Sequence, residues 1–220
     1  SYNIPDVYEG SPTSVTTVLI TLPKLAAIVV LIRLLNVPFQ SQIDIWQEIL
    51  SIIAIISILI GSISALKQEN FKRLLAFSTI SNMGFIILGI LTGNNAGIAS
   101  AILYMFLYTL GSLGIFSFLM MLRKEEKQLV NITSIAGLSK SQPAISLCLA
   151  ILLLSLAGIP PFAGFFAKLY IFIAAVENGF LYLAVIAVIF SVVSAYYYLR
   201  IIKVIYFDNQ DEIIANKYDK

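Results

Sequence analysis

Residues 143–176 read PAISLCLAILLLSLAGIPPFAGFFAKLYIFIAAV. The stretch is apolar almost throughout. It is nevertheless too long for one straight crossing of a bilayer core about 30 Å thick, which takes around 20 helical residues. Its middle explains the length. Gly158 can end one half-helix in a left-handed cap, Pro160 cannot continue that helix, and Pro161 is well placed to start the next. The sequence therefore predicts a discontinuous membrane helix broken near 158–161, with Lys168 in the first turns of its second half. Broken helices at membrane depth are tolerated only where they line a cavity or are buried in protein, and in transporters they mark ion sites.

Outward from this stretch the chain repeats the same apolar habit. Further spans are expected at about 14–35, 47–66, 71–92, 97–122 and 180–207, six crossings in all. They make one transmembrane domain, 1–207, followed by a polar tail, 208–220. Composition supports lipid as the solvent. Apolar residues make up 59% of the 220 and charged residues only 12%, about half the usual charged share of a soluble domain, roughly 25%. The fold class expected is an all-α polytopic bundle with one discontinuous helix. Ser1 to Gly10 lack the basic and apolar regions of a signal peptide, and the chain opens without Met. It reads as though cut from something longer.

Charge placement gives an orientation. With six crossings, the N-terminus, two loops, the tail and their flanks share one side. That side holds Lys67, Lys72, Arg73, Arg123, Lys124, Lys127, Lys140, Arg200, Lys203, Lys217 and Lys220, and the other holds Arg33 alone. Basic residues mark the cytoplasmic or matrix side, so both termini are expected there.

Two basic residues fit neither loop set. Lys24 lies in TTVLITLPKLAAIVVLIRLL, about ten residues from either helix end. At about 1.5 Å per residue, some 15 Å of hydrocarbon flanks it on each side, too deep for snorkelling. A central lysine costs roughly 2.5–3.5 kcal/mol on the lenient insertion scale, so it should face protein or a hydrated cavity. Pro23 before it can bend the helix. The plain alternatives are a shifted first span for Lys24 and a helix-end anchor for Lys168. Lys72 opens the third span beside Arg73, where positive-inside anchoring is the simpler reading. Proton transfer is assigned to Lys24 and Lys168, with Lys72 a weaker candidate.

No Asp or Glu is expected within the spans, so the lysines form an incomplete relay whose acid comes from elsewhere. Hydroxyls and amides of the third and fourth spans, Ser78, Thr79, Ser81, Asn82, Tyr104, Tyr108 and Thr109, could hold a water chain or simply bond helix to helix. Tyr196, Tyr197 and Tyr198 suit an interface belt. The chain has no histidine and one cysteine, Cys148. Haem, iron–sulfur, zinc and disulfide chemistry are therefore excluded as expectations, and nothing suggests nucleic-acid binding.

The residues also resemble a known family. PDVYEGSPTSVT at 5–16, LPKLA at 22–26, KQENFKRLLAFSTISNMGF at 67–85 and LSLAGIPPFAGFFAKLY at 154–170 are similar to the antiporter-like subunit 2 of respiratory complex I, called subunit N in bacteria. The resemblance runs from about Pro5 to Phe207. It implies a subunit of about fourteen helices built on inverted repeats, of which this chain resembles helices eight to thirteen. It further implies that Lys24 is the central-channel lysine and Lys168 the lysine of the broken helix nearest the outer exit. A membrane glutamate and a second broken-helix lysine would precede the chain, on a separate polypeptide if the subunit is split. Asn82 stands where many relatives carry a histidine. FMN, iron–sulfur clusters and ubiquinone would be bound by other subunits, and membrane-arm subunits and lipids would be the partners. The expected function is proton translocation in NADH:ubiquinone oxidoreductase. A multisubunit cation/proton antiporter, or a half-subunit kept for assembly, are the alternatives. An AT-rich composition points to the mitochondrial inner membrane, with the bacterial plasma membrane as the other choice.

Overall fold

A computed structural model describes residues 13–121 and 131–208. The PDVYEGSPT stretch up to residue 12, the basic residues Arg123, Lys124 and Lys127, and the tail from 209 lie outside the described residues. The helices are α1 (Thr13–Asn36), α2 (Ile43–Leu66), α3 (Phe71–Ile90), α4 (Asn95–Met121), α5 (Pro143–Ala157), α6 (Ala163–Glu177) and α7 (Leu181–Phe207). Short 3-10 turns at Gln40–Gln42 and Ile132–Ile135 and one helical turn at Leu138–Ser141 join them. The described residues form no sheet, only a bridge between Asn70 and Asn131.

The segments Gln40–Leu66, Phe71–Ile90, Asn95–Met121 and Leu181–Phe207 are each long and apolar enough to cross a membrane. α1 has 24 residues, about 36 Å of helix. α5 and α6 have 15 each, about 22 Å, so neither crosses a bilayer core alone. α2 starts one turn before the expected span. That brings Asp44 into its first turn, while Glu48 already lies within the expected 47–66 stretch; both correct the expectation of acid-free spans. Both are exposed at the helix N-terminus, where carboxylates complement the positive end of the dipole.

α3 is the centre of the bundle, with 15 of its 20 residues buried. α2 packs along it closely: a side chain at Gly61 would strike the backbone of Ser81. The Ser62 and Ser81 hydroxyls share a hydrogen bond of 2.8 Å across this contact. Such small-residue seams are how helices associate where lipid removes the hydrophobic drive. Asn70 caps α3, its Oδ1 accepting from the Arg73 amide at 3.2 Å. Asn94 does the same for α4 through the Gly97 amide at 2.8 Å. α4 packs against α1 on one side and α6 on another, and α7 packs against α2, α5 and α6. The outer faces of α1, α2 and α7 expose Leu22, Val29, Ile52, Ile56, Val188 and Val192, as lipid or further helices would require. At the basic end, Arg200 donates to the Leu66 and Gln68 carbonyls at 3.3 and 3.4 Å and ties α7 to the α2–α3 link.

Candidate functional site

The helix break builds the site. Gly158 adopts φ 77° and ψ 42°, the left-handed conformation that glycine takes without steric cost. Its amide donates to Ser155 O at 3.0 Å, and the Ile159 amide donates to Leu154 O at 3.2 Å. This is a Schellman cap, and it satisfies two of the four carbonyls that a helix end leaves open. Lys168 satisfies the other two. Its Nζ donates to Leu156 O at 3.3 Å and Ala157 O at 3.1 Å, and to Ser191 Oγ of α7 at 3.4 Å. The lysine is 2% exposed. Its ammonium therefore sits at the negative end of the α5 dipole, and it completes the cap of a helix that ends at membrane depth. The break supplies the lysine with its acceptors. A cavity of about 350 Å³ opens here, lined among others by Gly158, Pro160, Phe165, Lys168, Phe172 and Ser191. Its lining is mostly apolar, and Lys168 and Ser191 are its polar side chains.

The polar residues of α3 form two hydrogen-bonded groups with α4 and α7. Tyr104 OH donates to Asn82 Oδ1 at 2.7 Å, and Asn82 Nδ2 donates to Tyr198 OH at 3.5 Å. Ser78 also interacts with Tyr198, while its own hydroxyl donates to Leu75 O at 2.8 Å. One turn lower, Thr79 Oγ1 and Tyr108 OH are 2.6 Å apart. Ser81 turns to α2 instead, and Thr109 donates back to Met105 O at 2.8 Å, so neither joins these groups. Lys72 is 2% exposed at the start of α3. It is inside protein, not on the surface where an anchoring lysine would lie. Lys24 is half-buried as a residue, but its Nζ is withdrawn from the surface. The helices of both deep lysines, α1 and α6, pack against α4, which carries Tyr104 and Tyr108.

Tyr197 and Tyr198 correct the interface-belt expectation. Both are fully buried, and only Tyr196, 64% exposed, faces outward. The reason is helical phase: Ser194, Tyr197, Tyr198, Ile201, Val204 and Ile205 share the buried stripe of α7. Sequence reasoning also passed over Phe85 and Ser191. The Phe85 ring centroid lies 5.0 Å from Lys168 Nζ. The i, i+3 spacing from Asn82 was the available signal for Phe85. Nothing in the sequence marked Ser191.

Known proteins share this fold. Residues 3–194 match the family described as NADH:quinone oxidoreductase/Mrp antiporter, transmembrane. NADH-quinone oxidoreductase subunit N of Pelagibacter ubique is 50% identical over 208 residues, 94% of this chain and 44% of that one. Subunit N of Parvibaculum lavamentivorans is 46% identical, with 94% and 43% covered. Among solved structures, a chain of respiratory complex I from Thermus thermophilus with bound aureothin superposes with a TM-score of 0.79 at 33% identity, covering 93% of this chain and 44% of that one. A chain of the Mrp complex from Dietzia sp. gives 0.86 at 26% identity, with 94% and 38% covered. The chain thus spans a little under half the length of the curated relatives it matches. Its sequence and its fold agree on one conclusion: the chain belongs to the NADH:quinone oxidoreductase/Mrp antiporter family of membrane subunits.

Proposed function

We propose that the chain moves protons as part of the membrane arm of an NADH:quinone oxidoreductase. One observation carries the reading: a fully buried lysine ammonium, Lys168, caps a helix that ends at membrane depth beside a cavity. An ion so expensive to bury is retained where it works. Lys168 exchanges a proton toward the outer side, Lys24 carries one along the middle of the membrane, and Lys72 stands at the inner end of the path. The Asn82–Tyr104–Tyr198 and Thr79–Tyr108 groups orient water between them. Asn82 holds no exchangeable charge at neutral pH, so water bridges at that point. Flavin, iron–sulfur clusters and quinone belong to other subunits in this reading, and conformational and electrostatic signals drive the protons here. A segment outside this chain supplies the membrane carboxylate, either on the same polypeptide or on a separate one. The membrane is an energy-coupling one with the basic side inward, and the reported relatives, all bacterial, favour the plasma membrane over the mitochondrial inner membrane.

A second reading has its own support. The higher of the two TM-scores above belongs to the Mrp complex chain, which fits a cation/proton antiporter subunit. Purification of the native membrane complex followed by denaturing mass spectrometry separates the two. Co-purification with NADH-oxidising and iron–sulfur subunits, with NADH oxidation sensitive to rotenone or piericidin, supports the proposal. Co-purification with antiporter subunits and no redox partners would overturn it in favour of the second reading.

A further inference from the structure

The buried Asn82–Tyr104–Tyr198 group and the Lys168 cap are neighbours, yet no hydrogen bond joins them. Lys168 donates to Leu156 O, Ala157 O and Ser191 Oγ, and Tyr104 donates to Asn82. Phe85 touches both sides. It sits on α3 one turn beyond Asn82, about 4.5 Å along the axis, and it is 0% exposed. Its ring faces the Lys168 ammonium with the centroid 5.0 Å from Nζ, within cation–π range. The Tyr104 ring meets it edge to face at 6.4 Å and 85°, and the Phe172 ring at 6.1 Å and 66°. Phe172 also lines the cavity at the helix break. Three aromatic rings thus stand where the hydrogen-bonded path is interrupted.

We propose that Phe85 is a positioning residue and gate: its ring holds the Lys168 ammonium on the α5 carbonyls and separates it from the Asn82–Tyr104–Tyr198 group, so that protons cross only when the ring turns aside. The physical reason is continuity. Protons travel along hydrogen bonds and water, and the buried Phe85 ring packs against both Tyr104 and Lys168 where no hydrogen bond links the two groups. Rotation about the Phe85 side chain would open the gap, and the loss of its π face would free the ammonium to swing toward Asn82. The inference rests on the proton-transfer reading above, and it names the point in the path where leakage is prevented.

The test uses the full native complex reconstituted in proteoliposomes, with an imposed pH gradient and no turnover. Phe85→Ala is expected to dissipate the gradient several-fold faster than the wild type. Adding Lys168→Met to Phe85→Ala is expected to restore the wild-type rate, since the leak runs through the lysine. Phe85→Leu keeps an apolar plug and loses the π face. It should stay tight at rest but translocate several-fold fewer protons during turnover, while Phe85→Tyr, which keeps the face, should translocate normally. A wild-type leak rate in Phe85→Ala, or a leak that survives Lys168→Met, would overturn the gate. Should Phe85→Ala fail to assemble, normal turnover-driven translocation in Phe85→Leu would overturn it equally. If Lys168→Met alone leaves driven translocation intact, the underlying proton-transfer reading fails, whatever Phe85 does.

Discussion

Replacing Lys168 by methionine perturbs a balance that the structure allows to be worked out. The side chain keeps its length and loses its ammonium. The charge-assisted hydrogen bonds to Leu156 O and Ala157 O disappear, together with the longer, 3.4 Å bond to Ser191 Oγ. Each carbonyl bond is worth about 1.5–3 kcal/mol, so about 3–6 kcal/mol of interaction is lost at the helix end. Against this stands the insertion cost of a lysine at membrane depth, about 2.5–3.5 kcal/mol, which the variant no longer bears. The difference felt by the fold is about 0–3 kcal/mol in favour of the lysine. The Schellman cap at Gly158 and Ile159 does not involve the side chain and remains. Lys168→Met should therefore insert and assemble, with a modestly lowered thermal midpoint. Native gel electrophoresis and a thermal ramp on the intact complex measure both. Complete failure of the chain to insert would refute the accounting, because it would make the lysine the main prop of the break. A raised midpoint of several kcal/mol equivalent would refute it from the other side, showing that the two carbonyls gain little from their cap.

Other expectations follow from the same geometry. Gly158→Ala places a side chain at φ 77°, which costs about 1–2 kcal/mol, and its Cβ would lie 2.9 Å from Lys168 Cδ. The complex should melt earlier and translocate fewer protons, both read on the same preparation. Asn82→Leu removes the acceptor of Tyr104, leaving that buried hydroxyl unpaired at about 1–3 kcal/mol, while Tyr198 keeps its contact with Ser78. A melting scan should show the loss, and Asn82→Gln should lose less. Gly61→Leu forces α2 away from α3 and breaks the Ser62–Ser81 bond, an overpacking penalty of about 1–3 kcal/mol. Lower yield of assembled complex on a native gel is the expected result.

Some of this was open to the sequence and some was not, for definite reasons. The broken helix was legible because Gly158, Pro160 and Pro161 each act on their own backbone, and local chemistry needs no tertiary contact. That Lys24 lies mid-helix and Lys168 early in the second half-helix followed from counting residues. What Lys168 bonds to did not follow, because reaching back to Leu156 and Ala157 depends on how the chain turns between two half-helices. Helical phase was also hidden. In lipid a span is apolar on every side, so the usual contrast between faces is lost. Tyr108 joins Thr79 while Thr109, about 100° around the helix, bonds its own backbone. Tyr196 and Tyr197 diverge in the same way, one to the surface and one to the core.

Proton translocation per NADH oxidised, in proteoliposomes holding the intact complex, tests the central claim most directly. Wild type, Lys168→Met, Lys24→Met and the exposed-site control Lys67→Met are compared at equal assembly. The expected result is a clear loss of translocated protons in both deep-lysine variants, with the control unchanged. Undiminished translocation in Lys168→Met and Lys24→Met would contradict the account, and would leave the two lysines as parts of a membrane scaffold.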